Sequence, residues 1–188
     1  MREVAARYPE AERVELWFAD EARIGQKGRV THLWYQKGQR PRGVREHRFA
    51  SAQLFGAVCP ERDTGVALVL PEVSTAAMGL FLAELAHALP ARTHAVLALD
   101  RAGWHVSADL QVPPNLTLVH LPSYSPELNP VEKVWQHLRD RWLSHRVLAG
   151  HAAVLDAACQ AWDAVRAEPG RLRSLTSYPW LPTSVAAS

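Results

Sequence analysis

Three acids end or flank apolar runs in this chain, and a carboxylate so placed is costly to bury unless a cation or a base meets it. Asp20 closes Val14-Glu-Leu-Trp-Phe-Ala-Asp20, where Val14, Leu16, Phe18 and Asp20 share one face at strand period and Glu21 falls on the other. Asp100 closes the short apolar run Thr93-His-Ala-Val-Leu-Ala-Leu-Asp100, and acids at the ends of buried strands often line sites in open α/β sheets. Glu132 follows Asn129-Pro130-Val131 at a helix start. At about 100° per residue it flanks the apolar stripe Val131, Val134, Trp135, Leu138 and Trp142, beside Gln136 and Arg139. Each acid also has a plainer use. Asp20 can pair with a nearby arginine, Asp100 can cap a turn before Arg101-Ala-Gly103, and Glu132 can close a capping box begun by Asn129, with Pro130 at the first helical position. Together, three carboxylates on separate elements suggest an oxygen-ligand site for Mg²⁺ or Mn²⁺. Two such ions about 3.5–4 Å apart could clamp the attacking and leaving oxygens of a phosphodiester.

Other chemistries find less support. The nine histidines lack metal-ligand spacing, and there is no Gly-x-Ser-x-Gly elbow or Gly-rich phosphate loop. Two cysteines, Cys59 and Cys159, exclude a disulfide scaffold and a zinc site built on paired cysteines. His105, just after Asp100, is placed to move a proton, touch phosphate or serve structure alone. Trp17, Trp135, Trp142 and Trp162 lie in periodic elements and read as core. Trp34, Tyr35 and Trp104 are candidates for stacking on bases, with packing as the alternative.

The chain has 188 residues, 48% of them hydrophobic and 21% charged, enough for one domain with a full core. Its net charge of +2 is unevenly spread. From Arg23 to Arg48 run eight bases (Arg23, Lys27, Arg29, Lys37, Arg40, Arg42, Arg45, Arg48) and one acid, Glu46, a net +7; the other 13 bases and 18 acids sum to −5. Such a cluster suits a polyanion, or forms a solvated basic hairpin. The most apolar stretch, Thr75 to Leu89, is too short to span a bilayer and is broken by Glu84 and His87. No secretory signal precedes Arg13. A cytoplasmic, nucleoid-associated setting without a membrane partner is expected.

The elements that must position these residues follow from periodicity. Strands are expected at Val14 to Asp20, Thr31 to Gln36, Ser51 to Cys59 and Gly65 to Leu70, then a helix over Thr75 to Leu89. The strand Thr93 to Asp100, a short helix and the strand Leu116 to Leu121 come next. Helices over Asn129 to Leu143 and His151 to Ala167 follow, the latter stopped by Pro169-Gly170. The order implies an α/β domain, a mixed sheet flanked by helices, with its core over about 14–168 and a C-terminal tail over 169–188 that has no clear period from Arg171 and frays at its last residues.

Three blocks then coincide with a known pattern. Phe18-Ala-Asp-Glu-Ala-Arg23, Leu99-Asp-Arg-Ala-Gly-Trp-His105 and Leu121-Pro-Ser-Tyr-Ser-Pro-Glu-Leu-Asn-Pro-Val-Glu-Lys-Val-Trp135 resemble those of DDE transposases, in the bacterial insertion-sequence branch related to mariner elements. The third block is highly specific, and the resemblance runs from about Val14 to Trp180. It implies a ribonuclease H-like fold and two Mg²⁺ or Mn²⁺ ions held by Asp20, Asp100 and Glu132 as catalytic residues. It also implies metal-dependent strand cleavage by water at transposon ends, then attack of the freed 3′-hydroxyl on target DNA.

The partners expected are double-stranded DNA, at transposon ends and target, and a second copy of the chain. Arg23, Lys27, Arg29, Lys37, Arg40, Arg42, Arg45 and Arg48 would hold the DNA backbone, with His105 and Arg139 as further phosphate contacts. Two departures stand out. The 31 residues between Asp100 and Glu132 are fewer than in mariner-type relatives, which implies a trimmed loop before Leu116. The helix-turn-helix region that such transposases carry before the first catalytic strand is not in this sequence, so a catalytic-domain fragment, the product of a split reading frame or a truncated copy is expected, with a separate N-terminal DNA-binding polypeptide as a further partner. The rival readings are a catalytically silent DNA-binding or oligomerisation fragment, and another ribonuclease H-like nuclease.

Overall fold

The computed structural model describes residues 1–26, 36–38, 50–144, 146–181 and 185–186. Of the expected strand over 31–36, only Gln36 lies within them. The first helix, α1 (Arg2–Arg7), buries no residue, so the sequence before Arg13 carries no apolar period to reveal it. The first strand, β1 (Arg13–Gly25), runs five residues past the expected end at Asp20. A hairpin follows, β2 (Ser51–Cys59) and β3 (Thr64–Leu70). Helix α2 (Thr75–Ala88) leads to β4 (Thr93–Leu99) and β5 (Leu116–His120). Helices α3 (Val131–Leu138), α4 (His151–Ala167) and α5 (Arg171–Thr176) close the order, with a short β6 (Val185–Ala186).

The sheet order is β3-β2-β1-β4-β5. β1 is antiparallel to β2, and β4 is parallel to both β1 and β5. Both faces are covered, so the sheet is a middle layer. On one face Phe18, Ala22 and Ile24 of β1 pack with Val134, Trp135 and Leu138 of α3 and with Ala158 and Trp162 of α4. On the other, Trp17, Ala19, Leu97 and Leu99 pack with Met78, Phe81, Leu82 and Leu85 of α2. Those four α2 side chains are at most 1% exposed. Burying each contributes about 1.5–3 kcal/mol, which holds α2 over β4. The start of α2 is capped by Ser74, whose Oγ accepts from the Ala77 amide at 3.1 Å.

Three expectations need correction. No helix lies between β4 and β5: Asp100, Pro113 and Pro114 commit that stretch to turns. The helix expected over Asn129 to Leu143 is regular only to Leu138 and widens into a π-helical turn over Arg139–Leu143. The backbone amide and the hydroxyl of Ser144 both donate to the Arg139 carbonyl there, at 2.7 and 2.6 Å. The tail from Arg171, which has no clear period in sequence, nevertheless starts with a helix. Gly170, at φ +76°, turns the chain out of α4 as only glycine does easily, and α5 buries Leu172 and Thr176. β6 pairs with Arg13 and Val14 of β1.

Candidate active site

Register brings the first two acids together. The parallel pairing of β1 with β4 runs to Phe18 opposite Ala98. Asp20 and Asp100 each lie two residues further on, where the β1–β4 pairing has ended: Asp100 just past the end of β4, Asp20 within β1, which continues beside β2 to Gly25. On its other side Asp20 is paired with Gly56 of β2.

The third acid is brought in by a helix lashed to β1. Asn129 is buried; its Nδ2 donates to the Ala19 carbonyl at 2.8 Å, and its Oδ1 accepts from the Val131 amide at 3.2 Å. One side chain thus caps α3 and ties it to the residue before Asp20. Glu132, exposed in the first turn, closes no capping box. One turn on, Trp135 Nε1 donates to Asp20 Oδ2 at 2.9 Å. The tip of the Trp135 ring reaches Gly56, where an added Cβ would collide with it.

This setting pushes the Asp20 carboxyl up from 3.8 to about 7. Burial is the main cause, followed by the charges of Glu132 and then Glu21; hydrogen bonds from the Glu21 backbone and from Trp135 work against it. Among the described residues no Lys or Arg pairs with Asp20 or Glu132, so the salt-bridge alternative for Asp20 is not realised there.

Asp100 is held differently. Its side chain is 59% exposed, and its Oδ1 accepts from the Ala102 amide at 2.9 Å, a turn-forming bond. The same Oδ1 lies 2.7 Å from His105 Nδ1, and His105 Nε2 lies 2.8 Å from Glu21 Oε1. Burial disfavours charge on His105, but Glu21 first and Asp100 second outweigh it and raise its pKa. With both ring nitrogens engaged and only 1% of its side chain exposed, His105 has no free donor for a DNA phosphate. The expected phosphate contact is corrected to an interior one.

The other expected contacts divide. Arg23 is exposed near the end of β1, Lys37 is exposed, and Arg139 is half-buried seven residues after Glu132. Lys27, Arg29, Arg40, Arg42, Arg45 and Arg48 lie outside the described residues, as do Trp34 and Tyr35. Trp17, Trp135 and Trp162 are core, Trp142 is half-buried, and Trp104 packs beside the α2 core. Sequence reading missed Glu21, Asn129 and Gln26 as site-building residues. Gln26 is 3% exposed; its Oε1 accepts from the Ala50 amide at 3.0 Å and its Nε2 donates to the Leu148 carbonyl at 2.6 Å. It pins the two ends of the basic segment beside the end of β1.

Among the described residues no three His, Cys, Asp or Glu side chains close into a metal-holding group. The acids stand as Asp20 with Glu132, and Asp100 with His105. Their chemistry fits a hard divalent cation: all are carboxylates, and the charges of Glu132 and Glu21 add to burial in raising the Asp20 carboxyl.

A mixed sheet in this strand order, with helices on both faces and acids where its two central strands part, is the ribonuclease H-like fold of DDE transposase catalytic domains. Residues 15–152 match the family described as DDE superfamily endonuclease, and the chain belongs to that family. A relative in Sinorhizobium fredii, the uncharacterized protein y4pE/y4sA, is 46% identical over 129 residues, which cover 69% of this chain and 96% of that protein. The Mos1 transposase paired-end complex with left transposon end is similar in fold at a TM-score of 0.66 and 15% identity, over 93% of this chain and 55% of that one. The mariner Mos1 paired end complex with Mg is similar at 0.64 and 13% identity, over 93% and 55%. The chain spans about half the length of those Mos1 chains.

Proposed function

We propose that this chain is the catalytic domain of a cut-and-paste transposase, performing metal-dependent DNA strand cleavage and strand transfer for an insertion sequence. The observation that carries the reading is the pairing of Asp20 with Glu132, unbalanced by any described base, next to Asp100 at the adjacent strand end. Asp20, Asp100 and Glu132 would hold two Mg²⁺ or Mn²⁺ ions. When bound, such ions neutralise phosphate charge and make water or a 3′-hydroxyl a better nucleophile at neutral pH. The Mos1 chain, similar in fold, has been solved with Mg and with a transposon end, which supports the same cation and a DNA duplex here.

The chain's own residues orient and neutralise. Trp135 fixes one oxygen of Asp20, and Asn129 ties the start of α3, which carries Glu132, to the residue before Asp20. Arg23 and Arg139, with the basic segment pinned by Gln26, would hold the DNA backbone on either side of the acids. A homodimer would bring two such sites to two transposon ends.

Mn²⁺ binding measured by calorimetry, with duplex DNA present, tests the reading. Wild type should bind and Asp100→Ala should not; nicking of pre-nicked transposon-end duplexes should follow the same pattern. Duplex binding that ignores Mn²⁺, with no nicking, would replace this reading with a silent DNA-binding fragment.

A further inference from the structure

We propose that His105, clamped by Glu21, is a positioning residue that fixes which oxygen of Asp100 is offered to a cation. The inference rests on the metal-site reading above. Asp100 Oδ1 is consumed by the protein, accepting from the Ala102 amide and meeting His105 Nδ1. No described residue makes a hydrogen bond to Oδ2, so the carboxylate is pinned through one oxygen and presents the other. The ring doing the pinning cannot turn away. His105 is 3% exposed, Trp104 meets it edge-on at 5.8 Å, and Glu21 holds its far nitrogen at 2.8 Å.

The backbone of the same loop is fixed as well. The His105 amide donates to the Ala102 carbonyl at 2.9 Å, and His120 Nε2, at the end of β5, lies 3.3 Å from the His105 carbonyl. Glu21 itself is rigid: it is a strand residue paired with Phe55, and its side chain is only 10% exposed. β1 therefore serves the site twice. Asp20 points to the α3 face as an acid of the site, and Glu21 points to the α2 face as the anchor of its neighbour's support. Hydrogen-bonded partners behind metal ligands commonly set ligand orientation in this way.

Paired variants at one position test this. An Asn amide at 105 sits near the place of Nδ1, and a Gln amide sits near the place of Nε2. His105→Asn should keep its bond to Asp100 and bind Mn²⁺ within a few-fold of wild type. His105→Gln should reach Glu21 but release Asp100, and bind about 10–100-fold more weakly. Glu21→Gln, still an acceptor for the ring, should stay near wild type, whereas Glu21→Ala should weaken binding. Thermal melting without metal is run in parallel on all four. Equal Mn²⁺ affinities across them, whatever their melting temperatures, would overturn the positioning role and leave a merely structural histidine. If His105→Gln fails to fold, the Glu21 pair decides the matter by the same criterion. Wild type that binds no Mn²⁺ at all would instead take down the metal-site reading, and this inference with it.

Discussion

At the scale of single residues, Asp20 is where the fold and the chemistry oppose each other. Its folded pKa of about 7 lies above its ordinary 3.8. The fold therefore holds Asp20 most comfortably protonated, at low pH. Stability falls as pH rises from about 4 to about 7, and the loss persists above that. Asp20→Asn keeps an acceptor for Trp135 and removes the charge. In the metal-free protein it should be more stable than wild type, and the gain should grow between pH 5 and pH 8 by on the order of 2–3 kcal/mol. Urea unfolding at the two pH values measures this; a gain equal at both would mean that charge is not what strains the site. Mn²⁺ should stabilise wild type and not the variant. The acids stand out in sequence because Asp20 and Asp100 each end an apolar run and Glu132 flanks one. The partner of Glu21 was not: periodicity put Glu21 on the correct face, but His105 is 84 residues away, and spacing carries no information about contacts that only folding creates.

At the scale of elements, what matters is how α3 is set on the sheet. Asn129 makes two bonds that serve two structures, one to its own helix and one to β1. Asn129→Ala should cost about 1–3 kcal/mol, since it uncaps α3 and leaves the Ala19 carbonyl without its donor. Asn129→Asp keeps the cap but cannot donate, and sets a carboxylate against a carbonyl, so it should do no better. A chemical melt that finds Asp as good as Asn would show that the bond to β1 is dispensable. Gly56→Ala probes the same seat from below. Trp135 is 1% exposed and has nowhere to go, so the added methyl should destabilise by about 1–3 kcal/mol and loosen the indole from Asp20. The elements most readily seen in sequence are those with long apolar periods: β2 and α4 lie where periodicity put them. Elements anchored by few side chains were invisible. α5 is held by Leu172 and Thr176, and β6 by two backbone pairings; neither leaves a periodic trace. The π-helical turn after Leu138 is likewise a backbone choice, made where Ser144 takes both of its bonds at Arg139.

At the scale of the whole molecule, charge is separated along the chain. The Arg23–Arg48 segment carries +7 while the remainder carries −5. Gln26 and Ala50 fasten the base of that segment to Leu148, at the end of β1 nearest the acids. Under the proposed function, those bases would hold a duplex that the carboxylates alone would repel. If the segment makes about five phosphate contacts, duplex affinity should fall with a log–log salt slope of roughly −4 to −5. Replacing Arg40, Arg42 and Arg45 together by Ala should flatten that slope by about 2–3, because each lost contact removes about 0.9. The fold should be unaffected, so the melting temperature should hold while affinity at low salt drops most. Binding isotherms from 50 to 200 mM salt are enough to decide this. A slope near zero in wild type would mean that the basic segment does not hold the DNA backbone. Two unequal slopes, with the variant keeping Mn²⁺ affinity, would separate the surface that captures DNA from the acids that act on it.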